Sequence, residues 1–446
     1  MSDARSAIAS IRRRGALPLL VCLLYAVFQL GAGPQWTLFP DSYRYARAAE
    51  QYLGASRQEA HREALAAFCT SRAAHRAHDE KLQPEEKRGE RAIRSTEERA
   101  CLDRWADAPD ITTGDPRYQA IFSSRPGYPL LAAPFVGAFG VLRGMRLLGL
   151  VTAAAASLMV YGLLRGAGLA RRAALTGQLA FLATPLGWWS AQALGEGLFT
   201  VCVLGILWGG LLLFRRRSVP GAVALTALSY GAAVLTRYSS VLVLAALLAA
   251  VGAGAFCFSR DRRLRHAGTV ALVGVSTAAA AAVVAAMRVW DLPSSQVTLQ
   301  DTFTHHFTTP DVAHPWSALL QLATRFWRDW AAQQIAAPGF LLLTALAVWA
   351  LARYGEGLGG LALATGVGGV LLVSAHPLVQ EADRLAVLMW MPVVLGLPLA
   401  VDRHLAVRPL PPRTPGEPGE DPDRPPRQRV ARAPVTATEA KADSSG

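Results

Sequence analysis

The side chains best placed to do chemistry stand in short polar segments between long apolar runs. Phe39-Pro40-Asp41-Ser42-x-x-Tyr45 follows the first apolar run, and Ala46, Ala49 and Tyr52 continue it at helical spacing. A carboxylate at a lipid edge loses part of its hydration, which lifts its pKa toward the range of a useful base. An aspartate after Pro40 also suits the N-cap of a helix running from Tyr43 onward. Farther on, Ser124-Arg125-Pro126-Gly127-Tyr128-Pro129-Leu130-Leu131 offers the guanidinium of Arg125, whose planar fork matches phosphate oxygens. Snorkelling beside an apolar helix would place the same residue there.

Three further positions belong with these two. Glu196 follows Trp188, Trp189 and Gln192 and can contact a substrate or stand as a solvated turn acid. Arg237 ends an otherwise apolar helix, where a phosphate or carboxylate partner would explain it. His376, Glu381, Asp383 and Arg384 crowd one short segment, in which Arg384 can hold an anion or pair with its acidic neighbours. His305 and His306 are adjacent and therefore project differently; with no third ligand spaced nearby they suit substrate contact better than a metal. No metalloprotease, Walker or dinucleotide-binding pattern occurs, and Gly355-Glu-Gly-Leu-Gly-Gly360 is a glycine-rich helix turn.

The elements that must position these groups are membrane helices. Of 446 residues 52% are hydrophobic, with 39 glycines and 27 prolines scattered through apolar runs. About twenty apolar residues cross a bilayer as a helix, the structure that satisfies its own backbone in lipid. An all-α polytopic bundle of about ten spans is expected, at 16–33, 146–164, 172–190, 193–214, 219–236, 238–258, 266–287, 336–353, 357–375 and 385–401. The first follows Arg12, Arg13 and Arg14 without a small-x-small cleavage site and reads as a retained signal anchor. The run 128–142 is too short to cross and reads as interfacial. Then residues 1–15, the arginines between spans (Arg165, Arg171, Arg172, Arg215 to Arg217, Arg260 to Arg265, Arg353) and the tail all face the cytoplasm, as the positive-inside rule requires. The formal charge of +13 is explained by that topology, with no need of a nucleic-acid partner.

Two large segments of the membrane domain 16–406 are left outside the cytoplasm, 34–144 and 288–335. In the first, residues 57–117 carry 13 acidic and 12 basic residues in helix-forming sequence, with Pro84 where a second arm could begin. A charged helical hairpin is expected, with Phe68 and Cys69 facing Cys101 and Trp105; a disordered insert is the alternative. Outside the cytoplasm Cys69 and Cys101 can form a disulfide, whereas Cys22, Cys202 and Cys257 lie in apolar runs as packing residues. In the second segment Pro315 opens an aromatic helix through Trp316, Phe326, Trp327 and Trp330 that suits the headgroup layer. Residues 407–446 hold nine prolines among charged and small residues and read as a disordered tail.

In its order of pieces the chain resembles the GT-C superfamily, membrane glycosyltransferases that use polyprenyl-phosphate sugars, close in layout to bacterial relatives of protein mannosyltransferases and the aminoarabinose transferase. The pieces are Asp-Ser-x-x-Tyr at 41–45, Arg-Pro-Gly-Tyr-Pro-Leu-Leu at 125–131, Pro185 to Glu196 and Leu235-Thr236-Arg237. The charged insert departs from that layout. The resemblance implies an inner-membrane enzyme with its site outside the cytoplasm, passing a sugar from a polyprenyl-phosphate donor to an acceptor of the cell envelope, whether glycan, lipid or protein. It makes Asp41 the catalytic base, Arg125, Arg237 and Arg384 the holders of the donor phosphate, and Glu196, Tyr45, His305 and His306 the substrate contacts. Relatives include metal-dependent and metal-independent enzymes, so the cofactor stays open. Two other readings are a flippase of lipid-linked intermediates, disfavoured by spans nearly uncharged at their centres, and a non-catalytic scaffold.

Overall fold

The computed structural model describes residues 2–31, 36–83, 85, 88–258 and 264–404. Pro84, Arg260 to Arg263 and the tail 407–446, on which expectations were placed above, lie outside the described residues. Helices are the only regular elements among the described residues.

The chain opens with α1 (Ser2–Gly31), apolar over Ala16–Gly31. Next comes α2 (Pro40–Tyr52), which starts where Pro40 supplies a preset φ at the first helical position. The side chain of Ser42 accepts the backbone N–H of Phe39 at 3.0 Å, closing that terminus. The N-cap is therefore Phe39, and Asp41 lies inside the first turn, not at the cap position that its place after Pro40 suggested.

The insert folds as the expected hairpin. Ser56 caps α3 (Arg57–Lys81) by accepting from the Glu59 N–H, and α4 (Glu90–Trp105) packs back along it. Cys69 and Cys101 are joined as a disulfide between the arms. The hairpin is seated on the rest of the protein: Phe68 and Cys69 share a buried cluster with Tyr43, Ala46 and Tyr128, and Ser71 accepts the Leu38 N–H at 2.9 Å. A disordered insert is thereby overturned, because its few apolar residues are concentrated on the seated face.

Two long helices are each broken once. After α5 (Pro116–Ser123), α6 (Gly127–Gly166) breaks at Gly140, whose φ of 74° is open to glycine at little cost. The break falls near the end of the short apolar run 128–142. The polypeptide continues through α7 (Arg171–Ala183), α8 (Pro185–Ser190) and α9 (Gly195–Phe214). A Cβ at Gly197 would run into the Ser190 carbonyl and Thr152, so only glycine lets α9 begin this close to α6 and α8. In α10 (Val219–Phe258) the helix breaks at Arg237, with φ −155° and ψ 70°. Its two limbs run antiparallel: Gly209 abuts Ala222 and Thr226 on the first, while on the second Gly252 abuts Val273 of α11 (Ala267–Val289) and Tyr238 donates to the Pro293 carbonyl.

The second large segment forms α12 (Ser295–Phe303) and α13 (Pro315–Ala336), and the chain bends by 91° into α14 (Gly339–Tyr354). That bend fits an aromatic helix lying flat before one that enters the bilayer. The bundle closes with α15 (Glu356–Ala375), the short α16 (Ala382–Leu385) and α17 (Met391–His404). Among the described residues six helical stretches are long and apolar enough to cross a membrane, or seven with the bent pair counted as one, so the protein is a membrane-embedded helical bundle. A count by length takes the broken α10 as one stretch and leaves out the short apolar part of α1 and the 13-residue α7, which ends before Thr184-Pro185.

Candidate functional site

The bundle gathers charged side chains from four distant segments. Arg384, on α16, donates from Nη1 to Oδ2 of Asp41 at 2.7 Å and from Nη2 to Oε2 of Glu381 at 2.9 Å. Its Nε lies 3.3 Å from Oε1 of Glu196, a Coulomb contact without hydrogen-bond alignment. The same Glu196 oxygen pairs with Nη2 of Arg237, which the break in α10 turns toward it. The Glu196 side chain is 3% exposed and those of Arg384, Arg237 and Asp41 are 14%, 15% and 20% exposed. Glu196 is thus a buried, doubly paired acid, and the solvated turn acid is excluded. Charges so far from water persist only when paired.

Arg44, which the sequence reading passed over, is the most deeply buried cation of the group. Its side chain is 1% exposed, and its guanidinium lies over the adjoining rings of Tyr118 and Phe122, at 4.7 and 4.5 Å. Nη2 donates to Asp110 and to Thr112, both at 2.7 Å. Nη1 stands 3.9 Å from Oδ1 of Asp41 and, like Nε, has no hydrogen-bond partner among the described residues. The available signal was an arginine on the apolar face of α2, one turn after Asp41, where only a buried counter-ion could keep it.

Arg125 sits at the edge of the same group, half-buried, and its side chain has neither ion pair nor hydrogen bond among the described residues. It is close enough to Asp41 and Tyr45 to pull the pKa of each downward. Tyr45 itself is 5% exposed, stacked on Tyr128 with centroids 5.1 Å apart. Burial raises its pKa above that of a free phenol, so it stays neutral. As placed, it walls the cluster and offers little surface to a substrate.

For Asp41 the expected upward shift is overturned. Burial does raise its pKa, but the nearby Arg384, Arg44 and Arg125 outweigh it and hold the carboxyl below its usual value of 3.8. The group is a firmly ionised carboxylate.

His305 and His306 are not in this cluster. His306 pairs with Asp301 at 2.9 Å and stacks on Tyr118, while residues 305–307 all adopt positive φ. The connection from that segment to the site runs through His376, which bonds Thr302 at 2.7 Å and has Nε2 3.7 Å from Glu381. Burial lowers the His376 pKa below 6.5 despite Glu381 and Asp301, so it is neutral at pH 7. Among the described residues no three His, Cys, Asp or Glu side chains are arranged to hold a metal; Asp41, Glu196 and Glu381 close on a guanidinium instead.

An apolar groove of about 780 Å³ lies near the cluster. Leu24 and Phe28 of α1 face Leu182 and Trp188 across it, and Asp383, next to Arg384, stands at its end. Leu24 and Phe28 are 60% and 69% exposed, as lipid-facing residues would be. Compared with protein-family models, curated proteins and solved structures, the chain matches none.

Proposed function

We propose that this protein is a membrane glycosyltransferase of GT-C layout, passing a sugar from a polyprenyl-phosphate donor to an acceptor outside the cytoplasm. The observation that carries the reading is the convergence of Asp41, Glu196, Arg237 and Arg384, with Asp383, the neighbour of Arg384, lining an apolar groove. A donor of that class needs an apolar channel for its tail, cations for its phosphate and a carboxylate beside the sugar. In this reading the chain crosses an inner membrane ten times, with both termini cytoplasmic and the cluster outside.

Chemistry follows from the geometry. The acceptor hydroxyl attacks the anomeric carbon, Asp41 takes its proton, and the bond from that carbon to the phosphate oxygen breaks with inversion. The departing polyprenyl phosphate gains negative charge, which Arg125 and Arg384 neutralise. A resting Asp41 held ionised by Arg384 is a weak base. Donor phosphate competes for that guanidinium, draws it off the carboxylate and so raises the basicity of Asp41 only when donor is present. Glu196 keeps Arg384 and Arg237 in place as the partner is exchanged.

The test is to incubate the purified chain with a panel of radiolabelled polyprenyl-phosphate sugars and follow donor consumption. Consumption that needs Asp41 supports the reading; a transporter or scaffold would leave every donor intact.

A further inference from the structure

The transferase reading leaves the charged insert without a task, and the insert helps to build a cavity near the site. About 900 Å³ lies between α2, the foot of α3, the segment 106–116 and α5. Arg44, Ala48 and Gln51 line it, and Asp41 lies one turn before Arg44, so spacings of three, four and three put all four residues on one face of α2. The cavity therefore runs along the helix face that carries the carboxylate. Arg44 stands at the junction, lining the cavity while its unpartnered Nη1 lies 3.9 Å from Asp41.

We infer that this cavity is the acceptor site and that it takes a neutral, hydroxyl-rich oligosaccharide chain; the inference rests on the transferase reading. Its volume is in the range of small-ligand sites, about 300–1,000 Å³, and holds several sugar units. Gln51, Arg57 and Gln58 line it, and their side chains make no hydrogen bond among the described residues. The amides offer donors and acceptors, and the guanidinium paired donors, to neighbouring hydroxyls. Pro109, Pro116 and Phe122 supply apolar surface for the C–H faces of sugar rings. The lining is not built for a polyanion, because Arg44 and Arg47 are already paired with Asp110, at 2.7 and 3.2 Å, and Asp107 adds a negative charge to the wall. An acceptor chain lying here would bring one end past Arg44 to Asp41, while the donor tail occupies the apolar groove beside Asp383.

The experiment uses the full chain in nanodiscs and measures binding, not turnover. Fluorescently labelled oligosaccharides released from the envelope of the source cells are separated into neutral and acidic fractions, with a Ser/Thr-rich peptide as a third probe. The neutral fraction should bind, and binding should weaken at least tenfold in Ala48→Trp, which fills the cavity. The milder pair Arg57→Ala with Gln58→Ala should weaken it too, and guards against misfolding of the first. Arg94→Ala, on the exposed side of α4, should bind as the unaltered chain does. Neutral binding untouched by both cavity variants, tighter binding of the acidic fraction or the peptide, or no glycan binding at all would each overturn the inference. Donor consumption by the unaltered chain, measured separately, decides the transferase reading: glycan binding lost on filling the cavity, with no donor consumed, would keep this site and discard that function.

Discussion

Arg384 Nη1 and Asp41 Oδ2 meet at 2.7 Å across 343 residues of sequence, tying the last short helix of the bundle to the first turn outside α1. The contact makes the first and last thirds of the chain one electrostatic unit. It also fixes the protonation state of Asp41, and with it the acid limb of stability.

Asp41 should contribute to stability with a definite sign. Its folded pKa lies below 3.8, so the unfolded chain binds the proton more readily. The stabilisation is then fully present above pH 4 and is lost as pH falls through the lower, folded value. Thermal unfolding in detergent between pH 2 and 7 should show a steeper acid decline for the native chain than for Asp41→Asn. Parallel curves would show that the pair with Arg384 does not form in solution.

Glu196 holds two guanidiniums, so its loss should be felt more than a surface acid's. Glu196→Gln leaves Arg237 and Arg384 short of a counter-ion in a buried place, a destabilisation of about 3 kcal/mol. Adding Arg237→Met should restore part of that loss, since the orphaned charge goes with it. Denaturant or thermal unfolding of the two single variants and the double gives the coupling, and strict additivity would deny that the pair is direct.

The disulfide should hold the insert in place. Non-reducing mass spectrometry of the mature protein should find Cys69 bonded to Cys101, and Cys69→Ser should cost about 2–4 kcal/mol. Protease susceptibility of residues 82–89 is a local readout, expected to rise in the variant. Two free thiols in the native protein would remove the covalent link between the arms.

What was legible in the sequence follows from what a linear pattern can carry. Glu196, Arg237 and Arg384 are charges set in or beside apolar runs, and such placement is costly enough to announce a partner. The hairpin with Cys69 and Cys101 was legible from helix-forming charge patterns and the spacing of two cysteines. Arg44 was not, because its counter-ion Asp110 is 66 residues away in the insert and its stacking rings lie on α5. The sign of the Asp41 shift was misread for the same reason: desolvation can be inferred from a position beside a span, but the cation that outweighs it comes from the far end of the chain. Tyr45 looked like a contact residue from its place in the motif, and packing on Tyr128 turns it inward. The boundary between the expected spans 219–236 and 238–258 was legible from hydropathy, and the break in α10 falls at Arg237.

Topology is open to chemical labelling. With the cluster outside the cytoplasm, a thiol introduced by Glu90→Cys should react with an impermeant maleimide on intact cells, and one introduced by Val430→Cys should not. The reverse pattern would place the cluster in the cytoplasm, away from any extracytoplasmic acceptor.

The most direct measurement compares the native chain with Asp41→Asn for transfer of radiolabelled sugar from polyprenyl phosphate to an envelope acceptor. Asparagine keeps the size and hydrogen-bonding oxygen of the side chain, so folding and membrane insertion should survive, while transfer should fall by roughly 100-fold or more with the loss of a positioned base. Full transfer by Asp41→Asn would contradict the account, because the carboxylate that Arg384, Arg44 and Arg125 hold ionised would then have no part in the chemistry.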